Sequence, residues 1–177
     1  MRLIPIFEAE NKEILYHGST TEFDKFDMDK IGTNMVKYAH GICLTENPDV
    51  AKQYVTGMHC YIYKVKAYNV ASYAHWDDSV EDHPDLISTI IRKLKKAGKD
   101  DDAETLEGDI TDWTVGSLYE WLSDAIGGKK EASEWFNIAG TNGVIAHNGV
   151  LKDIYIAFDD SELKIMGQVG DDQEDDD

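Results

Sequence analysis

Residues 41–54 read GICLTENPDVAKQY and place a strand directly before a helix. The apolar stretch 41–45 has the composition of a strand. Asn47 can cap a helix, and the proline after it stands where a missing N–H costs nothing. Tyr54 then falls at helical spacing, and Gly57 ends the helix. The segment therefore predicts a strand–helix unit with Tyr54 on the inner face of the helix.

Further strands are predicted on both sides of this unit. The run at 14–19 is apolar and ends in small polar residues, as a strand that feeds a turn does. At 60–68, tyrosine and valine alternate with lysine, which is typical of a half-buried strand. Three more strands are predicted near the end of the chain, at 143–147, 153–158 and 162–166.

The middle of the chain, from about 74 to 140, has helical character. A first helix is predicted from a cap at Asp82 to Gly98, followed by an exposed charged link at 99–104. Two more are predicted, from about Trp113 to Gly127 and over 129–139. We expect three tryptophans in the core of this region: Trp113, Trp121 and Trp135.

This order of elements predicts the α+β class rather than an alternating β/α arrangement. A chain of 177 residues, 42% of them hydrophobic, suits one domain with a single core. We expect that domain to span 1–168, with the helical insertion at about 74–140. The stretch 169–177 contains DDQEDDD and predicts an acidic, disordered tail.

Charge limits the classes of partner. Thirty-five acidic residues against seventeen basic ones give a net charge of −18. Such a field repels phosphate backbones and anionic lipids, and it favours a basic protein partner. We therefore expect no direct binding of nucleic acid.

Location and metal chemistry follow from what the sequence lacks. No stretch approaches the roughly 18–20 apolar residues that span a bilayer, and the apolar start is shorter than a secretory signal needs. A cytoplasmic location is the expectation. Cys43 and Cys60 show no CxxC spacing, so we expect neither a disulfide framework nor a metal site.

Several residues have side chains that are suited to ligand binding or catalysis. An imidazole, His17, is followed at a predicted strand end by Gly18, which would let a ligand approach the backbone closely. Thr45 ends the next strand with a hydroxyl. Tyr54 offers a ring that could stack on another ring. Asp153 places an acid at the mouth of a late strand.

In this order, YHGST at 16–20, GICLTENPDVAKQY at 41–54 and DIYIAFDDSELKI at 153–165 resemble the ADP-ribosyltransferase superfamily. The similarity is to the branch of diphtheria toxin and the poly-ADP-ribose polymerases. It covers the two ends of the chain and implies a split antiparallel β-sheet core with a helical insertion.

The resemblance implies NAD as cofactor and a role for each matching residue. His17 would hydrogen-bond the nicotinamide ribose, the backbone of Gly18 would pair with the carboxamide, and Tyr54 would stack on the nicotinamide ring. An acid on the third strand, Asp153, would stabilise the oxocarbenium-like transition state. The catalytic set is then His17, Tyr54 and Asp153. The cofactor-binding set is His17, Gly18, Ser19, Cys43, Thr45 and Tyr54.

Two positions depart from the family pattern. Cys43 stands where the family has a stacking tyrosine, and Ile154 stands where it has the catalytic glutamate. Asp153 is one residue earlier, and neighbouring side chains on a strand face opposite ways. It could serve only if a bulge or a frayed strand start re-aims it. Asp159 and Asp160, after the strand, are the alternative acids. Asn148 is a further polar candidate that could position a ribose but is not an anion.

The implied function is mono-ADP-ribosyl transfer from NAD to a macromolecule, namely a protein with a basic surface. Some phage and bacterial members of the superfamily act in this way on host machinery or defence systems, in the host cytoplasm. The net charge also supports a different class, a non-catalytic acidic binding protein or nucleic-acid mimic that blocks a basic partner surface. Such a mimic needs its acids in rows on one face.

Overall fold

The computed structural model describes residues 12–31, 38–55, 57, 59–108, 110–147, 149 and 153–170. Residues 171–177, which make up most of the predicted tail, lie outside this part of the chain. So does Asn148.

Within the described residues, seven strands form one mixed sheet in the order β4-β5-β6-β2-β1-β3-β7. The strands are β1 Lys12–Ser19, β2 Ile42–Thr45, β3 Tyr61–Tyr68, β4 Tyr73–His75, β5 Gly143–His147, β6 Asp153–Ala157 and β7 Leu163–Gln168. Together with the helices they make a mixed α/β fold consistent with the predicted α+β class. The six strands predicted from the sequence are confirmed to within two residues at each end.

The predicted antiparallel pairing holds throughout the sheet except at one edge. Five strand pairs are antiparallel, but β4 and β5 are parallel, with Tyr73 opposite Gly143. The sequence did not indicate β4, because three residues are too few to show a period of two. The chain from β4 to β5 is long enough for the crossover that a parallel pair requires.

Five α-helices lie in the described residues: α1 Pro48–Gln53, α2 Pro84–Lys96, α3 Asp100–Glu107, α4 Val115–Ile126 and α5 Lys129–Ile138. The predicted cap of α1 is confirmed, since the Asn47 side chain accepts a hydrogen bond from the Asp49 amide at 2.8 Å. Helix α4 begins with a reciprocal capping box between Thr114 and Ser117. The helices α2–α5 occupy 84–138, between β4 and β5.

Three helical predictions need correction. The N-cap of α2 is His83, because Asp82 lies in a short 3-10 turn. Helix α4 starts at Val115, after Trp113. The predicted charged link at 99–104 falls mostly in α3, where Ala103 and Leu106 are buried and anchor an otherwise charged segment to the core.

The sheet has an apolar core on each face. On one face, residues of α2–α5 pack with Ile154 and Ile156 of β6, and Cys43 of β2 lies against them. On the other face, Leu44 and Tyr155 pack with residues of the 23–31 segment. Successive residues of β2 and β6 thus pack into the cores on opposite faces of the sheet, as the period of two in a strand requires. The three tryptophans are partly buried and pack against the helical core, as predicted.

We predict that Phe136→Ala lowers the free energy of unfolding by about 3–5 kcal/mol, because truncating a buried aromatic leaves a cavity. Phe136 is fully buried and contacts Tyr119 and Phe158 at ring-centroid distances of 5.3 and 6.0 Å. Urea unfolding measures the change. The control is Ile138→Ala on the same helix, where the side chain is 64% exposed and the change should stay within about 0.5 kcal/mol. Equal losses in the two variants would contradict this placement of the core.

Candidate functional site

The sheet opens between its central strand, β2, and the neighbouring strand β1. Strand β1 pairs with β3 over eight residues, but with β2 at one position only, Tyr16 opposite Thr45. Beyond that pair the two strands no longer form a ladder. A cavity of about 390 Å³ lies at this opening, within the range of roughly 300–1,000 Å³ usual for small-molecule sites.

All six residues predicted to bind the cofactor line this one cavity: His17, Gly18, Ser19, Cys43, Thr45 and Tyr54. They come from β1, from β2 and from the end of α1, which are separate segments of the sequence. The structure therefore brings together two of the three sequence motifs on which the predicted site depends.

His17 bridges the opening. Its Nδ1 lies 2.9 Å from the carbonyl oxygen of Cys43 on β2. Because a carbonyl oxygen can only accept, Nδ1 carries the hydrogen and Nε2 is left as a hydrogen-bond acceptor. The ring also contacts Phe26 and Phe23 edge-on, at centroid distances of 5.3 and 5.9 Å.

The His17 imidazole is held in its neutral form. Burial lowers the pKa of His17 below its usual value of 6.5, and the hydrogen bond to Cys43 offsets only part of this effect. A neutral ring with a free acceptor nitrogen suits a hydroxyl donor such as that of a ribose.

Gly18 is required by the packing of α1. A Cβ at this position would overlap the Ala51 carbonyl oxygen and lie 2.6 Å from Cγ2 of Val55. The sequence suggested that a ligand approaches the glycine, whereas on this side the approaching group is the end of α1. The same packing brings Tyr54 to the cavity beside β1.

The two predicted hydroxyl residues shape the cavity walls. Thr45 is buried, and its Oγ1 donates to the Asn47 carbonyl at 2.8 Å, which fixes the step from β2 into α1. Ser19 Oγ donates to the Thr21 carbonyl at 2.8 Å and accepts from the Thr21 amide at 3.0 Å. Both hydroxyl hydrogens are therefore engaged within the protein.

Tyr54 and Cys43 differ in what they can do. Tyr54 is the C-cap residue of α1 rather than part of its inner face, and it is partly buried against the helical core. Its ring offers an aromatic wall. Burial raises the pKa of the Cys43 thiol to about 12, so this sulfur stays protonated and unreactive near neutral pH.

Asp153 is not brought to the cavity. It begins β6, and its carboxylate lies 2.8 Å from Nδ1 of His147, its partner on β5. The register is regular from Asp153 onward, with no bulge that would re-aim the side chain. The next residue, Ile154, pairs with the cavity residue Thr45.

The two alternative acids after β6 also lie elsewhere. Asp159 accepts hydrogen bonds from Asn137 and Ser161 and so fixes the turn after the strand. Burial acts to raise its pKa, but these hydrogen bonds outweigh burial and lower it. Asp160 lines a second cavity of about 320 Å³, beside Phe26 and β7.

The structure adds charged residues that the sequence analysis did not assign to the site. Lys25, Lys30, Glu22 and Asp27 line the cavity from the segment that follows β1. Lys30 pairs with Asp27 at 3.3 Å, and Glu22 accepts from Nε2 of Gln168 at 3.0 Å. Their position directly after the YHGST motif was the available signal, but nothing in their spacing indicates which way a loop folds.

Two kinds of feature are absent from the described residues. They contain no group of three or more His, Cys, Asp or Glu side chains placed to hold a metal ion. None of their helices is both long enough and apolar enough to cross a membrane.

Comparison of the chain with protein-family models, with curated proteins and with solved structures gives no match. Its function is therefore inferred from its own residues and their geometry.

We predict a pH dependence of stability that originates at His17. Since burial lowers the folded-state pKa below 6.5, the unfolded chain takes up the proton first as the pH falls. This contribution to stability is complete above about pH 6.5 and is lost as the pH falls through the folded-state pKa. Urea unfolding at about pH 7.5 and about pH 5.5 should show a drop that is smaller in His17→Asn, which keeps an amide donor but does not titrate. His40, whose pKa burial also lowers, remains in both proteins. Identical drops would contradict the neutral, buried imidazole.

Proposed function

We propose that the protein binds NAD in the cavity between β1 and β2 and transfers ADP-ribose from it to a macromolecular target, a protein with a basic surface. The observation that carries the proposal is that the six residues at the positions of the family's NAD-binding motifs, five that fit the pattern and Cys43 that departs from it, line a single cavity. An ADP-ribosyltransferase fold is part of the same proposal.

The nicotinamide half fits the chemistry of the β1 and α1 walls. Nε2 of the neutral His17 accepts a hydrogen bond from a ribose hydroxyl, and the backbone at Gly18 meets the carboxamide. The ring of Tyr54 provides a face for stacking on the nicotinamide. With Cys43 in place of a second aromatic, the ring is clamped from one side only.

We assign the phosphates of the dinucleotide to the part of the cavity lined by the segment that follows β1. Lys25 and Lys30 line the cavity in a chain whose net charge is −18. Both ammonium groups suit a pyrophosphate, and Lys30 would exchange its pairing with Asp27 for the phosphate. The segment that carries these lysines follows the His17 motif directly. One short stretch of chain therefore supplies contacts to both the nicotinamide ribose and the pyrophosphate.

Transfer requires a carboxylate near the sugar carbon from which nicotinamide leaves. As the carbon–nitrogen bond breaks, positive charge develops on the ribose and a fixed negative charge stabilises it. Glu22 and Asp27 are carboxylates that line the cavity. The charge of Asp27 is paired with Lys30 and its carboxylate also accepts from the Asp29 amide, whereas Glu22 accepts from the uncharged amide of Gln168. We therefore assign this role to Glu22 in preference to Asp153.

The acidic-mimic alternative has weaker support. Exposed acids occur on several separate elements, including the 22–29 segment, the first turn of α3 and the surface of α5. Some of them are paired with lysines, as Glu107 is with Lys95 and Glu120 is with Lys129. A mimic would bind a basic partner in a salt-sensitive way that survives the loss of His17.

Calorimetric titration with NAD tests the binding step. We expect saturable binding by the wild type and a loss of roughly 5- to 30-fold in Tyr54→Ala, the range that corresponds to removing a base-stacking partner worth about 1–2 kcal/mol. Tyr68→Ala is the matched control, because Tyr68 is also a partly buried tyrosine but lies at the end of β3, away from the cavity-lining residues. Wild-type affinity in Tyr54→Ala, or no binding by the wild type, would contradict the proposed site.

Labelled NAD and a cell lysate test the transfer step. Discrete bands should be labelled by the wild type, and His17→Ala and Glu22→Gln should each reduce labelling by about 100-fold or more. His75→Ala is the matched control, since this exposed histidine lies on β4 and does not line the cavity. Labelling that persists in Glu22→Gln but disappears in Asp153→Asn would show that Asp153 on β6, and not Glu22, is the catalytic carboxylate. Labelling that is unchanged in His17→Ala would refute the role of His17.

A further inference from the structure

Residues 38–40 lead the chain directly into the wall of the cavity. They precede Gly41, Ile42 and Cys43, all of which line it. The carbonyl of Cys43 in turn accepts the hydrogen bond from His17. Whatever fixes residues 38–40 therefore also fixes the β2 side of the site.

Side chains of the helical layer hold this segment by its backbone. The amide of His40 donates to the hydroxyl of Tyr119 on α4 at 3.0 Å. The carbonyl of His40 accepts from Oγ of Ser133 on α5 at 2.6 Å. Nζ of Lys129 donates to the Tyr38 carbonyl at 2.8 Å. Both backbone groups of His40 thus depend on side chains from a distant part of the sequence.

Tyr119 is itself firmly placed. Its side chain is fully buried, and its hydroxyl donates to the Lys129 carbonyl at 2.6 Å. Its ring contacts Trp76 at 5.6 Å, and Trp76 contacts the ring of Tyr38 at 5.5 Å. Burial raises the pKa of the Tyr119 hydroxyl, which therefore keeps its proton near neutral pH. The anchor is rigid because it is part of the helical core.

We infer that Tyr119 and Ser133 are positioning residues of the cavity wall: by holding the backbone of His40 they keep β2 where its Cys43 carbonyl orients the His17 imidazole. Neither residue lines the cavity, so neither touches a ligand there. The helical layer then has a role in the site as well as in the core. The effect on NAD rests on the proposed function, whereas the effect on β2 does not.

The test compares Tyr119→Phe and Ser133→Ala with the wild type, at a temperature at which circular dichroism shows all of them folded. Each variant removes one hydrogen bond to His40 and keeps most of the packing. The dissociation constant for NAD, from calorimetry, should rise roughly two- to tenfold in each. Leu106→Ala is the control for stability alone, since Leu106 is buried in the same helical layer but has no polar side-chain atom to bond residues 38–40. It should lower stability and leave the dissociation constant unchanged.

Amide hydrogen exchange of residues 40–45, followed by mass spectrometry or NMR, gives a readout that needs no ligand. Exchange should accelerate in Tyr119→Phe and Ser133→Ala and stay at the wild-type rate in Leu106→Ala. Wild-type affinity for NAD in both folded variants would overturn the inference. If the wild type does not bind NAD, the proposed function fails, and exchange alone decides: unchanged protection of β2 in both variants would then overturn the positioning role.

Discussion

The hydrogen bond from His17 to the Cys43 carbonyl is the interaction on which the site depends. It crosses the opening at which β1 and β2 stop pairing, and it joins the two strands by a side chain where no backbone ladder does so. It also fixes the ring tautomer, because a neutral imidazole has one N–H group and donates it to this carbonyl. One contact therefore sets both the shape of the opening and the chemistry of the His17 ring that lines the cavity.

The rest of the fold supports this opening from both sides. Helix α1 packs closely on β1 because Gly18 has no side chain, and this packing sets Tyr54 at the cavity. On the β2 side, the helical layer holds the backbone of His40 through Tyr119 and Ser133. A sheet that opens in its centre gives up ladder hydrogen bonds there, so neighbouring elements must hold the free strand ends.

Features of the fold that neighbouring residues determine could be predicted from the sequence, whereas features that depend on contacts between distant residues could not. The Asn47 cap and the alternation of tyrosine and valine with lysine at 60–68 are strong local signals. They predicted the ends of their elements to within about two residues. The short strand β4 and its parallel pairing with β5 depend on contacts between distant residues, which no local pattern encodes. Helix α3 was missed because its acidic first turn resembles a solvated link, whereas Ala103 and Leu106 bury it. In the site, motif order identified six residues of one cavity, but the acid at Asp153 turned out to face His147.

A crystal structure of the protein soaked with NAD would show directly whether the dinucleotide binds in the cavity between β1 and β2. We expect electron density for the nicotinamide ring between the Tyr54 ring and β1, with a ribose hydroxyl within hydrogen-bond distance of Nε2 of His17 and the phosphates near Lys25 and Lys30. Density for NAD elsewhere on the surface, with the cavity between β1 and β2 occupied only by water, would contradict this expectation.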